Sequence, residues 1–350
     1  MTSSELTIGS CPVGGQHPCY VIAEAGSNHN RDLDTAKRLV DAAADAKADA
    51  VKFQTYSGAN LYSTKAPKFD YLGPLADKQP HQLLEEISLP RDWQPLLAEH
   101  CRQRGIEFLS SPFDREAVDE LVALDVAALK VASFELVDLA FIRYIASKGR
   151  PVILSTGMAT LGEVEEALDA VREGGSPDVV VLQCASVYPA PARVMNLRAI
   201  PTMKTAFGIP VGLSDHTLGI HVPLAAVALG ADVLEKHFTL DRSQQGPDHS
   251  FAVEPDELRD MVTQIRDVEA ALGDGYKRGP SAEEAVEMYS KARRSVVAAC
   301  HIPVGTRIER TMLTVKRPGH GIKPKLIDTL VGRVAARDID YDEVVTWEML

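Results

Sequence analysis

The chain has 350 residues, 45% hydrophobic and 25% charged, with a formal net charge of −12. Ordinary globular composition at this length predicts one large domain plus a small one, with a sizeable core. Mean hydropathy is −0.08, and no apolar run reaches the roughly 18 residues that a spanning helix needs, so no membrane partner is expected. An acidic balance without a basic tract or interleaved aromatics argues against a nucleic-acid partner. An anionic small substrate stays open, because distant surface charge is screened within about 8–10 Å.

The opening "MTSSELTIGSCPVGG" has no basic region followed by an apolar stretch, so no secretory signal is expected. Cys11, Cys19, Cys101, Cys184 and Cys300 are odd in number and form no CxxC pair. Reduced thiols in a cytoplasmic protein are the expectation. Residues 5–18 read as a small hairpin before the first strand.

Strand-like runs then alternate with helical periods. The strands are "CYVIAEA" (19–25), "AVKFQTY" (50–56), "IEFLSS" (106–111), "ALKVAS" (128–133), "PVILST" (151–156), "VVVLQCAS" (179–186), "PVGLSD" (210–215) and "VLEKHF" (233–238). They are short, β-branched and apolar until their last residues, as parallel strands buried on both faces should be. After the first comes "DLDTAKRLVDAAADA", with apolar residues at 33, 36, 39, 40 and 43 on one helical stripe. After the last comes "PDELRDMVTQIRDVEAAL", started by Pro255 and Asp256 and ended by Gly273 and Gly275. Eight βα units predict an α/β fold, a (β/α)₈ TIM barrel over residues 1–273, with a doubly wound sheet as the runner-up. Residues 57–90, with Tyr62, Phe69 and Tyr71, are too long for a connector and read as a lid on the C-terminal face. Residues 274–292 read as a linker. From Arg293 on, short strands broken by "IPVGT" and "RPGHG" mark a compact module, 293–350, small enough that docking on something else is expected.

Nearly every predicted strand ends in polar residues, where barrel enzymes carry their chemistry. Glu24, Lys52, Gln54, Ser111, Lys130, Ser133, Glu135, Ser155, Ser186, Tyr188, Ser214, His216, Glu235 and His237 all sit there. Glu235 and His237 share one face of the eighth strand by the period-two rule, and His216 ends the seventh. Two imidazoles on adjacent strand ends can hold a divalent metal and leave positions open for substrate and water. A lone histidine at a strand end is more often a satisfied polar residue. Lys52 and Lys130 lie in apolar runs, where an unpaired ammonium is costly. Either an anion such as phosphate or carboxylate meets them, or Glu24, Glu135 and Glu235 pair with them across the mouth. These residues suggest a metal-assisted enzyme acting on a small phosphorylated or carboxylated substrate, without naming the reaction.

The motifs "IAEAGSNHN", "ADAVKFQTY", "FLSSPFD", "LKVASFE", "ILSTGM", "LQCASVYPAP", "NLRAIP", "GLSDHTLG", "ALGADVLEKHFTLDR" and "GPDHSF" together resemble the sialic acid synthase (N-acetylneuraminate synthase) family of nonulosonic acid synthases. "IPVGT" and "VKRPGHGI" resemble the antifreeze-like (SAF) domain that follows the barrel in that family. The resemblance implies condensation of phosphoenolpyruvate with an open-chain N-acetylated amino sugar, with release of phosphate. It implies Mn²⁺ or Mg²⁺ on His216 and His237. It implies phosphoenolpyruvate at Lys52, Ser111, Lys130, Ser133, Ser155, Ser186 and Ser214, and sugar at Gln54, Tyr188 and Asp248. Glu24, Glu135 and Glu235 are then unranked candidates for moving protons. Arg317 corresponds to an arginine that reaches the N-acyl group from a partner chain, in a homodimer with swapped SAF domains. "KVASFE" is closer to synthases acting on 6-deoxy-diacetamido sugars, such as pseudaminic and legionaminic acid synthases; "GPDHSF" is closer to the N-acetylneuraminate and spore-coat type. The alternatives are a synthase using a phosphorylated sugar, which needs more basic residues, and a non-catalytic carbohydrate binder.

Overall fold

The structure is a computed structural model and describes residues 5–68, 78–176 and 178–350. Contacts divide the chain into two compact units, Met1–Gly273 and Asp274–Leu350.

The first unit is an eight-stranded parallel barrel. A hairpin, β1 (Leu6–Ile8) and β2 (Cys11–Val13), precedes it. The barrel strands are β3 (Tyr20–Gly26), β4 (Ala50–Thr55), β5 (Glu107–Pro112), β6 (Leu129–Val131), β7 (Val152–Ser155), β8 (Val179–Cys184), β9 (Val211–Asp215) and β10 (Val233–His237). Their spatial order is β5-β4-β3-β10-β9-β8-β7-β6, and the two ends pack together. The count of eight in the sequence therefore closes as a barrel, not as a doubly wound sheet.

Side-chain alternation builds two cores. Val21, Ala23, Val51, Phe53, Val152, Leu154, Leu213 and Leu234 point outward and pack under the helices. Tyr20, Ile22, Ala50, Leu109, Ile153, Val180, Leu182 and Val233 point into the bore, and Leu6, Ile8 and Val13 of the hairpin join them. The N-terminal end of the bore is thus filled with hydrocarbon. The helix Leu33–Asp45 buries Ala36, Leu39, Val40 and Ala43, and Asp32 caps it by accepting from Thr35 N at 2.7 Å. The helix Pro255–Leu272 buries Leu258, Met261, Val262 and Ile265, the stripe read from the sequence.

Two segments depart from expectation in detail. β6 stops at Val131, and Ser133–Glu135 turn as a 3₁₀ segment, because the Ser133 hydroxyl accepts from Gly157 N on the neighbouring strand's loop. The 57–90 segment holds two short helices, Gly58–Leu61 and Pro80–Ile87. They pack closely: a Cβ on Gly58 would lie 1.9 Å from His81 O. Phe69 and Tyr71 lie outside the described residues. Among the described residues no helix is long and apolar enough to cross a membrane, and all five cysteines are free.

The second unit begins with the short helices Ala282–Val286 and Met288–Ala292, within the stretch read as a linker. It then pairs β11 (Ser295–Ala298) with β12 (Leu313–Lys316), antiparallel. Val296, Ala298, Ile302, Ile308, Leu313, Ile322, Leu330, Ile339 and Val345 form its own core.

Gly212 shows how tightly the bore is filled. A Cβ there would lie 2.0 Å from Val233 O and 2.9 Å from Leu182 Cδ2. Because the first of these is backbone, Gly212→Ala is expected to destabilise the fold by about 1–3 kcal/mol through overpacking, read as a lower urea midpoint at unchanged slope.

Candidate active site

The bore changes character along its axis. Each inward-facing row that starts with Ile22, Ala50, Leu109, Ile153 or Val233 ends with a polar residue: Glu24, Lys52, Ser111, Ser155 and Glu235. Parallel register sets Glu24 beside Lys52 on one side and beside His237 on the other, and Glu235 beside Ser214.

Lys52 and Lys130 are both buried. Lys52 Nζ lies 2.7 Å from Glu24 Oε2 and 3.6 Å from Glu235 Oε2, and donates to Ser111 Oγ at 3.1 Å. Lys130 Nζ donates to Ser155 Oγ at 2.7 Å and lies 3.7 Å from Glu235 Oε1. Ser214 Oγ donates to the same Glu235 oxygen at 2.9 Å. The cross-mouth pairing is therefore present through Glu24 and Glu235. Glu135 makes no ion pair with either lysine among the described contacts.

These groups shift one another. Burial pushes Glu24 up, and the neighbouring Glu235 adds to it against the pull of Lys52. Burial acts on Glu235 too, but the two ammonium groups outweigh it and hold this carboxyl well below the usual range. Burial pulls Lys130 down, with Glu235 only partly offsetting it. Lys52 is held up because two carboxylates outweigh burial. Two cations thus face one firm carboxylate and one that takes up a proton readily.

Beside the lysines lies a cluster of hydroxyls. Gly157 N donates to Ser133 Oγ at 3.0 Å. A Cβ on Gly157 would fall 2.2 Å from Ser186 Oγ and 2.9 Å from Ser133 Oγ. Ser186 Oγ is buried without a hydrogen-bond partner. Only a glycine lets the backbone come this close to both hydroxyls. Gly157 was not singled out from the sequence, although it lies in "ILSTGM"; only the missing side chain matters, and that signal is spatial.

The imidazoles sit together on the adjacent strands β9 and β10. The rings of His216 and His237 have centroids 5.3 Å apart. Ala185 O lies 2.9 Å from His216 Nδ1, and Ala190 N donates to His216 O at 2.9 Å. Phe251 packs its ring 5.2 Å from His237 and 6.3 Å from His216, a role the sequence did not disclose. Burial, reinforced by His216, holds His237 well below its ordinary value, so it is neutral. Its buried Nδ1 has no hydrogen-bond partner and lies 3.7 Å from Asp248 Oδ2. Among the described residues no cluster of three or more His, Cys, Asp or Glu side chains stands ready to hold a metal. Two neighbouring imidazoles with an orphaned nitrogen fit a cation that takes its other ligands from substrate and water.

A cavity of about 430 Å³ opens over this floor. Gln54, Glu135, Tyr188, His237 and Asp248 line its polar side. Leu61, Leu83, Leu84, Ile87 and Phe134 line the other, so the helices Gly58–Leu61 and Pro80–Ile87 contribute one wall together with Phe134. Gln54 Nε2 donates to Glu24 Oε1 at 2.8 Å. Burial pushes Glu135 up to about 7 and Asp248 up to about 6. The Tyr188 ring packs at a tilt against His216, with centroids 4.4 Å apart. Of the residues read from the sequence, all but Arg317 lie in the barrel unit around this mouth; Arg317 is exposed in the second unit, just after β12.

Comparison with known proteins identifies the family. Residues 39–277 match the NeuB family model, and residues 293–350 match that of the SAF domain. The N,N'-diacetyllegionaminic acid synthase of Campylobacter jejuni is 43% identical over 93% of this chain and 98% of its own. The N-acetylneuraminate-9-phosphate synthase of Homo sapiens is 37% identical over 99% and 97%. The crystal structure of the N-acetylneuraminic acid (sialic acid) synthetase from Leptospira borgpetersenii superposes with a TM-score of 0.74 at 37% identity, covering 82% of this chain and 95% of that one. The two family models, the sequence identity and the near-complete coverage leave one conclusion: the chain belongs to the NeuB family and ends in a SAF domain.

Proposed function

We propose that the protein condenses phosphoenolpyruvate with an open-chain N-acylated amino sugar to give a nonulosonic acid and inorganic phosphate. One observation carries this reading: two buried lysines at the end of the bore, with the unpartnered hydroxyl of Ser186, lie beside paired imidazoles. Lys52, Lys130, Ser111, Ser133, Ser155, Ser186 and Ser214 hold the enol phosphate and carboxylate, each charge-assisted bond contributing roughly 1.5–3 kcal/mol. Arrival of that anion displaces the pairing of Lys52 with Glu24, whose raised affinity for a proton lets it become neutral as the anion binds.

C3 of the enol attacks the aldehyde carbon, forming the new C–C bond. Water adds at C2, and phosphate leaves with C–O cleavage. The aldehyde oxygen takes up a proton, and the attacking water gives one up. Glu24, Glu135 and Glu235 surround this path and exchange those protons. A divalent metal, Mn²⁺ or Mg²⁺, held by His216 and His237 would polarise the aldehyde as a Lewis acid. Gln54, Tyr188 and Asp248 orient the acceptor hydroxyls.

The acceptor is unphosphorylated in this reading. No Lys or Arg lines the cavity among its described residues, and the wall of Leu61, Leu83, Leu84, Ile87 and Phe134 offers nothing to a phosphate. Hydrocarbon there suits the methyl groups of a diacetamido-6-deoxy sugar as well as an N-acetyl group, and N-acetylmannosamine is the simpler candidate. Exposed Phe134, Val137, Met158, Val187 and Leu218 crown the loops after β6, β7, β8 and β9. A second copy of the chain, bringing Arg317 of its SAF domain to the acyl group, would cover such a rim.

The decisive experiment is a phosphate-release screen with phosphoenolpyruvate against N-acylated hexoses, their 6-deoxy-diacetamido analogues and their 6-phosphates, with and without Mn²⁺. Release only with the 6-phosphates would overturn the acceptor assignment, and release with none would overturn the reaction. His216→Ala and His237→Ala are expected to abolish condensation, as is exhaustive chelation; a near-native rate with unchanged metal dependence in either variant contradicts the ligand assignment. Lys52→Ala and Lys130→Ala are expected to raise KM for phosphoenolpyruvate about 10- to 100-fold, and wild-type values in both would refute the anion site.

Glu135 supplies a pH-dependent test. Its ordinary value is 4.5 and burial raises it to about 7, so between those limits the folded state binds more protons than the unfolded one. Stability contributed by the neutral carboxyl is present below pH 4.5 and is lost as pH rises through 7. Glu135→Gln should therefore be more stable than the parent at pH 8, by about 1–3 kcal/mol, with the difference vanishing near pH 4.5. Denaturant melts at the two pH values measure this, and equal differences at both would disprove the shift.

A further inference from the structure

β10 ends in three consecutive polar residues, and only two of them face the cavity. Lys236 points the other way, to the outside of the barrel, and is 0% exposed. Its ammonium donates to Asp215 Oδ2 at 2.6 Å and to Thr217 O. Asp215 in turn accepts from Thr217 N at 3.1 Å and from Thr217 Oγ1 at 3.0 Å. Asp215 and Lys236 are register partners across β9 and β10. Among the described residues, every hydrogen bond of this buried ammonium therefore falls on the residues immediately before and after His216, whereas His237 is its own chain neighbour.

We infer that Lys236 is a positioning residue that sets the spacing of His216 and His237 for the metal. The claim rests on the proposed metal role of those imidazoles. Asp215 is the last residue of β9 in register with β10, so His216 and Thr217 lie beyond the ladder. Lys236 replaces that ladder from behind, through one carboxylate and one carbonyl, while Ala185 O and Ala190 N hold His216 from the cavity side. One strand thus supplies a ligand on its inner face and, on its outer face, the clamp for the ligand next door. Groups that orient metal ligands in this way typically change metal affinity about 10- to 100-fold when removed.

Mn²⁺ is titrated into the full chain without phosphoenolpyruvate or sugar, by calorimetry and by EPR of free Mn²⁺, for the wild type, Lys236→Met and the charge-balanced double variant Asp215→Asn/Lys236→Met. Folding is verified by circular dichroism and a cooperative melt. The double variant serves if the single one fails to fold, since it leaves no stranded buried charge. Lys204→Met is the control: it breaks the ion pair to Asp232 at 2.8 Å, which lies at the opposite end of the same two strands. The expected result is at least a 10-fold loss of Mn²⁺ affinity in the folded Lys236 variants and wild-type affinity in Lys204→Met. Unchanged affinity in a folded Lys236 variant overturns the inference, as does an equal loss in the control. Failure of wild-type protein to take up Mn²⁺ overturns the metal assignment itself, a result distinct from wild-type binding with unaffected variants.

Discussion

Desolvated charge at the end of the barrel bore governs this protein. Two lysines and two glutamates are held within a few ångströms, out of water, on strands whose deeper inward residues are hydrocarbon. Such an arrangement is costly unless every charge finds a partner. Glu235 meets the requirement by serving both lysines at once, at 3.6 and 3.7 Å, which leaves Glu24 as the adjustable member. Neither lysine contact to Glu235 is at close ion-pair distance. The lattice of charge is therefore satisfied without being saturated, and an incoming dianion can strengthen it.

Rigidity around that charge comes from close packing. Gly212, Gly157 and Gly58 each stand where a single methyl group would strike a neighbour. They let β9 approach β10, let two hydroxyls converge, and let the helix Gly58–Leu61 rest on the helix Pro80–Ile87. The buried Lys236–Asp215 pair works on the outer side of the same sheet. Polar groups thus brace the site from in front and behind, while the helices cover it with Leu, Val and Ala.

Much of this was legible in the sequence, because barrels write their geometry in simple periods. Period-two alternation placed Lys52 with Gln54, and Glu235 with His237. The helical stripe of Leu258, Met261, Val262 and Ile265 lies where it was read. What escaped was whatever depends on contacts across the chain. Gly157 and Phe251 act by where they stand relative to Ser186 and to the imidazoles, and nothing local in "STGM" or "HSF" encodes that. The helices flanking residues 69–77 were hidden because proline-rich, loop-like composition masked eight-residue and four-residue segments that helical propensity alone would not sustain. Lys236 was visible as an anomaly in an apolar strand, but alternation alone could not tell which partner awaited it on the far face.

The hairpin formed by Leu6–Ile8 and Cys11–Val13 has a further consequence. Its apolar side chains stopper one end of the bore. Lys52 and Lys130 lie deeper than Gln54, His237 and Asp248. In the proposed reaction, a shaft stoppered at that end would admit the enol anion before the sugar.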